Sequence, residues 1–140
     1  MAYNSMKKLL TVSAYIAIIS GLLFVGGGIW GITFTYQNIA QENIVTPGDA
    51  SIPESPVRGP FTLRSQAEVI REHTLKITGG KTYAEMPRED ANRNLWVTAT
   101  TLTTALNLGI LTYVFSYLII LFGCISIWTG FVFRMLSRQK

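Results

Sequence analysis

Residues 9–36 read LLTVSAYIAIISGLLFVGGGIWGITFTY and contain no charged side chain. Residues 95–133, LWVTATTLTTALNLGILTYVFSYLIILFGCISIWTGFVF, are equally free of charge. Both stretches exceed the ~20 residues with which a helix crosses a hydrocarbon core about 30 Å thick. They therefore predict an all-α membrane protein, with transmembrane helix 1 over 9–36 and a stalk plus transmembrane helix 2 over 95–133.

The overall composition agrees with this interpretation. The 140 residues include 14% charged side chains and have a mean hydropathy of +0.31, which is too apolar for an ordinary soluble domain of this size. A cleaved signal peptide is the alternative for the first stretch, because Lys7 and Lys8 precede it as a charged n-region would. However, the stretch is about twice as long as a typical h-region, and no small-x-small cleavage site follows it cleanly. We expect a retained anchor.

The charged residues are distributed unevenly along the chain. All 8 acidic side chains lie between the two apolar stretches, whereas residues 1–8 and 134–140 carry only basic ones. Because segments rich in Lys and Arg stay in the cytoplasm, we expect a hairpin in the bacterial inner (plasma) membrane, with both termini cytoplasmic and residues 37–94 forming an extracytoplasmic loop. The net charge of +4 then reflects topology and a weak attraction to membrane lipids. It does not indicate a nucleic-acid partner.

Small residues recur along both apolar stretches at the spacing of one helical face. Within lipid, such residues let two helix backbones approach closely. The candidate helix-packing residues are Ser13, Ala17, Gly21, Gly27, Gly31, Ala105, Gly109, Ser126 and Gly130. They serve either to pair the two helices of one chain or to form a groove for another subunit or a second copy, since a two-helix hairpin cannot bury two full faces on itself.

The beginning of the second stretch is more polar than the rest. It contains Thr98, Thr100, Thr101, Thr103, Thr104 and Asn107. Threonine hydroxyls can bond back to a carbonyl one turn earlier in a helix. We therefore expect a helical stalk above the bilayer, beginning near Asp90 or Asn92 as an N-cap.

The loop divides into two parts by composition. Residues 46–60, TPGDASIPESPVRGP, are rich in Pro, Gly and Ser, which predicts an extended segment without regular structure, either a linker or a surface strap. Residues 62–78 predict a short amphipathic helix with Thr62 as its N-cap and a stop at Gly79 and Gly80. We expect its apolar stripe to face the bilayer surface, the stalk or a partner. The stripe consists of Leu63, Ala67, Ile70, Thr74 and Ile77.

The sequence offers few groups for catalysis or metal binding. GGKT at residues 79–82 is similar to the end of a phosphate-binding loop, but Leu75 occupies the position where that motif needs an earlier glycine. We therefore expect no nucleotide partner. His73 is the only histidine and Cys124 the only cysteine, so we expect no metal site, no cofactor, no disulfide within the chain and no enzymatic activity.

Several side chains of the loop are candidates for an interaction outside the membrane. The basic residues of the loop favour an anionic group, although its acids make mutual salt bridges the simpler interpretation. These basic residues are Arg58, Arg64, Arg71, Lys81, Arg88 and Arg93. His73 flanks the apolar stripe, where it either makes a structural hydrogen bond or faces water. The candidate loop residues are Arg58, Phe61, Arg71, His73, Lys81 and Tyr83.

Two segments of the loop carry a resemblance to a known family. They are VRGPFT at residues 57–62 and GGKTYAEMPRED at residues 79–90, separated by a helix that contains QAEVI and His73. With the flanking apolar helices, this pattern resembles small actinobacterial-type two-helix membrane proteins that are often mislabelled as aromatic ring-opening dioxygenases. That label implies non-haem iron held by two histidines and a carboxylate. A chain with one histidine does not support this activity, so the resemblance implies a layout and no function.

Two functions from different classes fit these patterns. The first is a non-catalytic accessory or structural subunit that packs against other membrane protein subunits of a larger complex, for example of a respiratory or photosynthetic chain. The alternative is an extracytoplasmic binding or sensing module, in which His73 and basic residues such as Arg58, Arg71 and Lys81 receive an anionic ligand.

Overall fold

The computed structural model describes residues 2–139, and within them the fold is helical. In chain order the helices are α1 (Ala2–Gln41), α2 (Pro60–Ile77), a short 3-10 turn (Tyr83–Glu85) and α3 (Arg93–Arg138). The only β pairing in the described residues is an isolated bridge between Val45 and Pro56. The ends of the predicted cytoplasmic segments, Met1 and Lys140, lie outside the described residues.

Helices α1 and α3 are both longer than the apolar stretches from which they were predicted. They contain 40 and 46 residues, which corresponds to about 60 Å and about 69 Å at a rise of 1.5 Å per residue. Both are long and apolar enough to cross a membrane. The coarse prediction, an all-helical chain with two helices of membrane-spanning length, is confirmed.

The chain folds as two compact units. The helix-pair unit consists of Met1–Thr33 and Val114–Lys140, and the loop unit consists of Phe34–Tyr113. The first therefore contains most of the apolar length of α1 and α3. The second contains α2, the segments on either side of it, and the remaining parts of α1 and α3.

The helix-pair unit packs through close backbone contacts at glycine. A Cβ atom at Gly21 would lie 2.7 Å from the carbonyl oxygen of Gly123, and one at Gly123 would lie 2.8 Å from the carbonyl oxygen of Gly21. A Cβ atom at Gly130 would similarly lie 2.8 Å from the carbonyl oxygen of Ala14, which is fully buried. These distances leave no room for a side chain. Glycine is therefore required along this contact.

Most large apolar side chains of the helix-pair unit point outward. Leu23 is 70% exposed and Trp128 is 72% exposed. Other exposed side chains of the same kind are Leu9, Ile16, Ile19, Leu22, Ile29, Leu121, Phe122 and Phe131. Such a surface suits hydrocarbon rather than water, because soluble proteins rarely expose large contiguous apolar patches.

The core of the loop unit forms where α2 packs on α3. Leu63 is 1% exposed, and its side chain lies against Gly109, where an added Cβ atom would be 3.2 Å from Leu63 Cδ1. At the other end of α2, the indole Nε1 of Trp96 donates to the carbonyl oxygen of Lys81 at 2.9 Å. The two contacts show that α2 and α3 run in opposite directions.

The segment predicted as an extended linker is instead a tight turn organised around Thr46. This side chain is 2% exposed. Its hydroxyl donates to the carbonyl oxygen of Ile52 at 2.5 Å and accepts the backbone N–H of Ser55 at 2.9 Å. Glu54 adopts a positive φ of 49° within the turn. The hydroxyl therefore adds to the backbone hydrogen bonds of the turn, in which Thr46 N–H donates to the carbonyl oxygen of Ser55 at 3.0 Å and Glu54 N–H to that of Thr46 at 3.1 Å.

The two ends of α2 differ in how well they match the sequence prediction. The helix begins at Pro60, so Thr62 lies in its first turn rather than at the N-cap. There its hydroxyl accepts the backbone N–H groups of Arg58 (3.0 Å) and Gly59 (3.2 Å). At the other end Gly79 and Gly80 have φ values of 63° and 81°, and Gly80 N–H donates to Leu75 at 2.8 Å. This glycine stop is the one predicted.

The apolar stripe of α2 is broader and more polar than predicted. Leu63, Ala67 and Thr74 are buried as expected, but Ile77 is exposed. Ser65 and Val69 are buried instead. They lie on a second face of α2, where the Ser65 hydroxyl accepts the N–H of Ile52 at 2.9 Å. Helix α2 is thus covered on two faces, by α3 and by the Thr46 turn.

Candidate functional site

The structure distributes the six candidate loop residues over several places. Phe61 is 77% exposed, and its side chain has no part in the core. Arg58 contacts Tyr36, with Nη1 donating to the tyrosine hydroxyl at 3.1 Å and the guanidinium carbon 5.8 Å from the ring centroid. The Arg58 carbonyl oxygen also accepts the hydroxyl of Tyr113 at 2.6 Å. Arg58 is therefore committed to holding the loop unit together.

His73 joins α2 to the Thr46 turn. Its Nε2 lies 2.6 Å from Oδ2 of Asp49, and both side chains are about half exposed. The hydrogen bond from His73, assisted by its charge, lowers the pKa of the Asp49 carboxyl below its usual value. Ser51 reinforces the same junction by donating to Ser65 at 2.9 Å. His73 therefore has the structural hydrogen bond that the sequence left as one of two options.

Lys81 and Tyr83 belong to a third cluster, after the end of α2. The carbonyl oxygen of Lys81 accepts from Trp96 and also from the hydroxyl of Thr78, at 2.7 Å. The Tyr83 ring lies 3.9 Å from the guanidinium carbon of Arg93, whose Nη1 donates to the carbonyl oxygen of Met86 at 2.8 Å. These contacts fix the connection between α2 and α3.

The same connection contains a short capping interaction. The Glu85 carboxylate accepts the backbone N–H of Thr82 at 2.7 Å and its hydroxyl at 2.8 Å. These two hydrogen bonds lower the pKa of Glu85. Among the described residues, no group of three or more His, Cys, Asp or Glu side chains is arranged to hold a metal ion.

Arg71 lies apart from the other candidates, in an open cleft of about 500 Å³ between α2 and α3. We call this cleft the α2/α3 groove. Its α2 wall carries Arg64, Ala67, Glu68 and Arg71, and its α3 wall carries Trp96, Ala99, Thr100, Thr103 and Asn107. Arg64 Nε donates to Oε1 of Glu68 at 2.8 Å, which raises the pKa of Arg64. The groove therefore combines two guanidinium groups with hydroxyl, amide and indole neighbours.

A second cleft of about 490 Å³, the aliphatic groove, opens on another side of α2. Its lining is almost entirely aliphatic, with side chains such as Ile39, Ile70 and Leu102. Gln66 is one of its few polar members, and Gln66 Oε1 is buried without a hydrogen-bond partner among the described residues. Leaving a buried acceptor unsatisfied costs about 1–3 kcal/mol. Gln66 is therefore a position where an apolar side chain is expected to stabilise the loop unit.

The predicted helix-packing residues separate into two groups. Gly21, Gly130 and Ser126 lie at the contact within the helix-pair unit, where the Ser126 hydroxyl donates to the Ala17 carbonyl oxygen at 2.8 Å. Gly31 lies against the Ser116 hydroxyl. Ser13 is half-buried in the same unit.

The other predicted packing residues need correction. A Cβ atom at Gly27 would meet nothing within 4 Å, whereas one at Gly28 would lie 2.8 Å from the Ser116 carbonyl oxygen. The close contact therefore uses the next glycine of the GGG run. Ala105 and Gly109 lie in the loop unit, where Ala105 is exposed and Gly109 contacts Leu63.

Arg64 and Arg71 were both among the basic residues that favour an anionic group, but the sequence did not predict that they line one cleft. The two residues are seven positions apart, which places them on nearly the same face of a helix. Residues 96, 99, 103 and 107 follow the same rule on α3. The helical spacing of both sets of residues can be read from the sequence. Which face of α2 meets which face of α3 depends on the direction of α2 relative to α3, and the spacing does not give that direction.

The chain was compared with protein-family models, curated proteins and solved structures. No family model, curated protein or solved structure matches the chain.

Proposed function

We propose that this chain is a small, non-catalytic integral membrane protein that serves as an accessory or structural subunit of a larger membrane complex, such as one of a respiratory or photosynthetic chain. In this proposal it resides in a bacterial plasma membrane with both termini in the cytoplasm and the loop unit outside. The family resemblance noted above is compatible with this role and stays a prediction.

One observation carries the proposal. The contact within the helix-pair unit places glycine backbones against isoleucine and valine side chains of the other helix, while most large side chains of both helices remain exposed. Gly26 and Gly27 are also exposed, with open space at their Cβ positions. Small residues at a helix surface allow another helix to approach closely. The pair therefore keeps a smooth surface on which a further membrane helix can pack.

The charge distribution supports the proposed orientation. Acidic residues are confined to the loop, and the flanking segments carry only bases. Orientation of a hairpin follows the bias of Lys and Arg in short flanking segments. Both helix ends near the termini therefore belong in the cytoplasm under this proposal.

The test is purification of the tagged full chain in mild detergent, with mass spectrometry of the proteins that accompany it. A Gly27→Leu variant is the matched comparison, because it leaves the contact of Gly21 with Gly123 intact but fills the open surface at Gly27. We expect stoichiometric recovery of larger membrane subunits with the unchanged chain and their loss with the variant. Recovery of the unchanged chain alone, as a monomer or homodimer, would contradict the proposal.

A second candidate function, binding of an anionic ligand outside the membrane, is favoured by the α2/α3 groove. The residues that carry it are Arg64 and Arg71 rather than the predicted set of Arg58, Arg71, Lys81 and His73, because Arg58 and His73 are occupied by Tyr36 and Asp49. Arg71 lines the groove. It has no hydrogen-bond or ion-pair partner within residues 2–139.

A further inference from the structure

The α2/α3 groove is long enough for an extended chain. It lies between two antiparallel helices, and its lining includes the small side chains of Ala67 and Ala99. On the α3 wall it extends from Trp96 to Ile110, which corresponds to about 21 Å at 1.5 Å per residue. Small side chains in a groove let a bound backbone lie close to both helices.

The donors of the α2 wall are largely unused. A guanidinium group has about five N–H donors. The Nε of Arg64 donates to Glu68, so the two terminal nitrogens of Arg64 are available to a ligand. Arg71 makes no ion pair within the described part of the chain. Two guanidinium groups therefore face one cleft that contains a single carboxylate, that of Glu68.

The spacing of these arginines matches a particular backbone. Seven residues of α-helix separate Arg64 from Arg71, which corresponds to about 10.5 Å. A polyproline II helix has about three residues per turn and rises ~3.1 Å per residue, so side chains three positions apart share a face at about 9.3 Å. Carboxylates three positions apart on such a segment would each meet one guanidinium group.

The α3 wall suits the same ligand. Trp96 is 7% exposed and is fixed by its hydrogen bond to the carbonyl oxygen of Lys81, so it borders the groove as a rigid apolar side chain. Asn107 and Thr100 border the same cleft. An amide and a hydroxyl at this position can bond the free N–H and C=O groups of a backbone that has no internal hydrogen bonds.

We propose that the α2/α3 groove binds an extended, proline-rich acidic peptide segment of a partner protein, with two carboxylates three residues apart meeting Arg64 and Arg71. This inference rests on the second candidate function above and names its ligand class. It does not depend on the accessory-subunit proposal.

The test uses the full chain in nanodiscs of neutral phosphatidylcholine and fluorescence anisotropy of labelled peptides. The probe peptide carries Glu-Pro-Pro-Glu in a proline-rich frame, and its control carries Gln-Pro-Pro-Gln. Two further probes are inorganic phosphate, applied as a competitor, and nanodiscs that contain anionic phosphatidylglycerol, applied without peptide.

Variants of the arginines show where the peptide binds. We expect Arg71→Gln to weaken binding of the glutamate peptide roughly tenfold, as expected for loss of one charge-assisted interaction, and Arg64→Gln with Arg71→Gln to abolish it. Arg88→Gln is the matched control, because Arg88 is exposed and lies outside the groove. It should bind the peptide as the unchanged chain does.

The remaining outcomes overturn either the peptide inference alone or the anion-binding function as well. Equal binding of both peptides, or binding that Arg71→Gln does not change, overturns the peptide inference. Phosphate or phosphatidylglycerol binding that needs Arg71, without peptide binding, overturns the peptide and keeps the anion-binding function. If neither the peptide, phosphate nor phosphatidylglycerol binds, both the peptide inference and the anion-binding function are overturned. The accessory-subunit proposal is tested separately by the purification experiment above.

Discussion

The helix-pair unit and the loop unit are held together by different interactions. In the helix-pair unit, backbones meet at Gly21 and Gly123, and Ser126 makes hydrogen bonds across the two helices. In the loop unit, the buried hydroxyl of Thr46 closes a turn of irregular backbone, and that of Ser65 ties the same turn to α2. The difference follows from the proposed surroundings. Apolar side chains gain nothing by leaving lipid, so close van der Waals packing dominates there, whereas a small unit in water needs burial and satisfied polar groups.

The largest loss of stability is expected from Gly123→Leu in the helix-pair unit. Its Cβ would lie 2.8 Å from the Gly21 carbonyl oxygen and 2.9 Å from the Val25 nitrogen. Because backbone atoms cannot yield as a side chain does, we expect destabilisation of about 3 kcal/mol. The measurement is a detergent titration that follows energy transfer between dyes at the two helices. Gly27→Leu is the control. A similar loss of stability in Gly123→Leu and Gly27→Leu would contradict the claim that the two helices meet at Gly123.

The next largest loss of stability is expected from Thr46→Val in the loop unit. The change keeps the volume but removes the hydroxyl, so the carbonyl of Ile52 and the N–H of Ser55 lose their partner. The expected cost is about 2 kcal/mol, measured as faster amide exchange and proteolysis in residues 42–59. Thr98→Val, whose hydroxyl bonds only its own helix at Asn94, should change little. An unchanged exchange rate in Thr46→Val would show that the turn does not depend on this hydroxyl.

A smaller effect of opposite sign is expected from Gln66→Leu. The substitution removes the buried, unpaired Oε1 and replaces it with an aliphatic group beside the aliphatic groove. We expect the loop unit to gain about 1 kcal/mol, seen as a higher unfolding temperature. Gln37→Leu is the control, because Gln37 is exposed. A loss of stability in Gln66→Leu would mean that the amide has a partner that this structure does not contain.

The smallest effect concerns pH and the contact of Asp49 with His73. The pKa of Asp49 is lowered from 3.8, so its contribution to stability is complete above that value. It is lost as pH falls through the lower folded-state pKa. We expect exchange of the Ile52 amide to show an extra acceleration below about pH 4 that Asp49→Asn eliminates. Glu54→Gln should retain it. The same acid response in Asp49→Asn would exclude this carboxylate as its source.

The sequence predicted the elements that depend on local pattern. The two apolar helices, the presence of α2 and its glycine stop at Gly79 and Gly80 follow from periodicity, length and backbone conformation. Helix α3 begins at Arg93, next to Asn92, one of the two predicted N-cap positions.

The features that depend on partners distant in the chain were not predicted. Gly26, Gly27 and Gly28 are alike in sequence, and successive helix positions differ by about 100°, so only the position of α3 selects Gly28. The turn of the Pro-rich segment is attached to α2 by Ser65, whose hydroxyl accepts the Ile52 N–H from a position 13 residues away. The two arginines of the groove meet only because α2 runs back along α3.

The central claim is that the helix-pair unit lies in the membrane and the loop unit outside it. It is tested most directly with single cysteines in a Cys124→Ser background, labelled in intact cells by a membrane-impermeant maleimide. We predict that Phe61→Cys is labelled at once, Ser5→Cys only after permeabilisation, and Leu23→Cys in neither case. Labelling of Leu23→Cys in intact cells, or of Ser5→Cys without Phe61→Cys, would contradict the account.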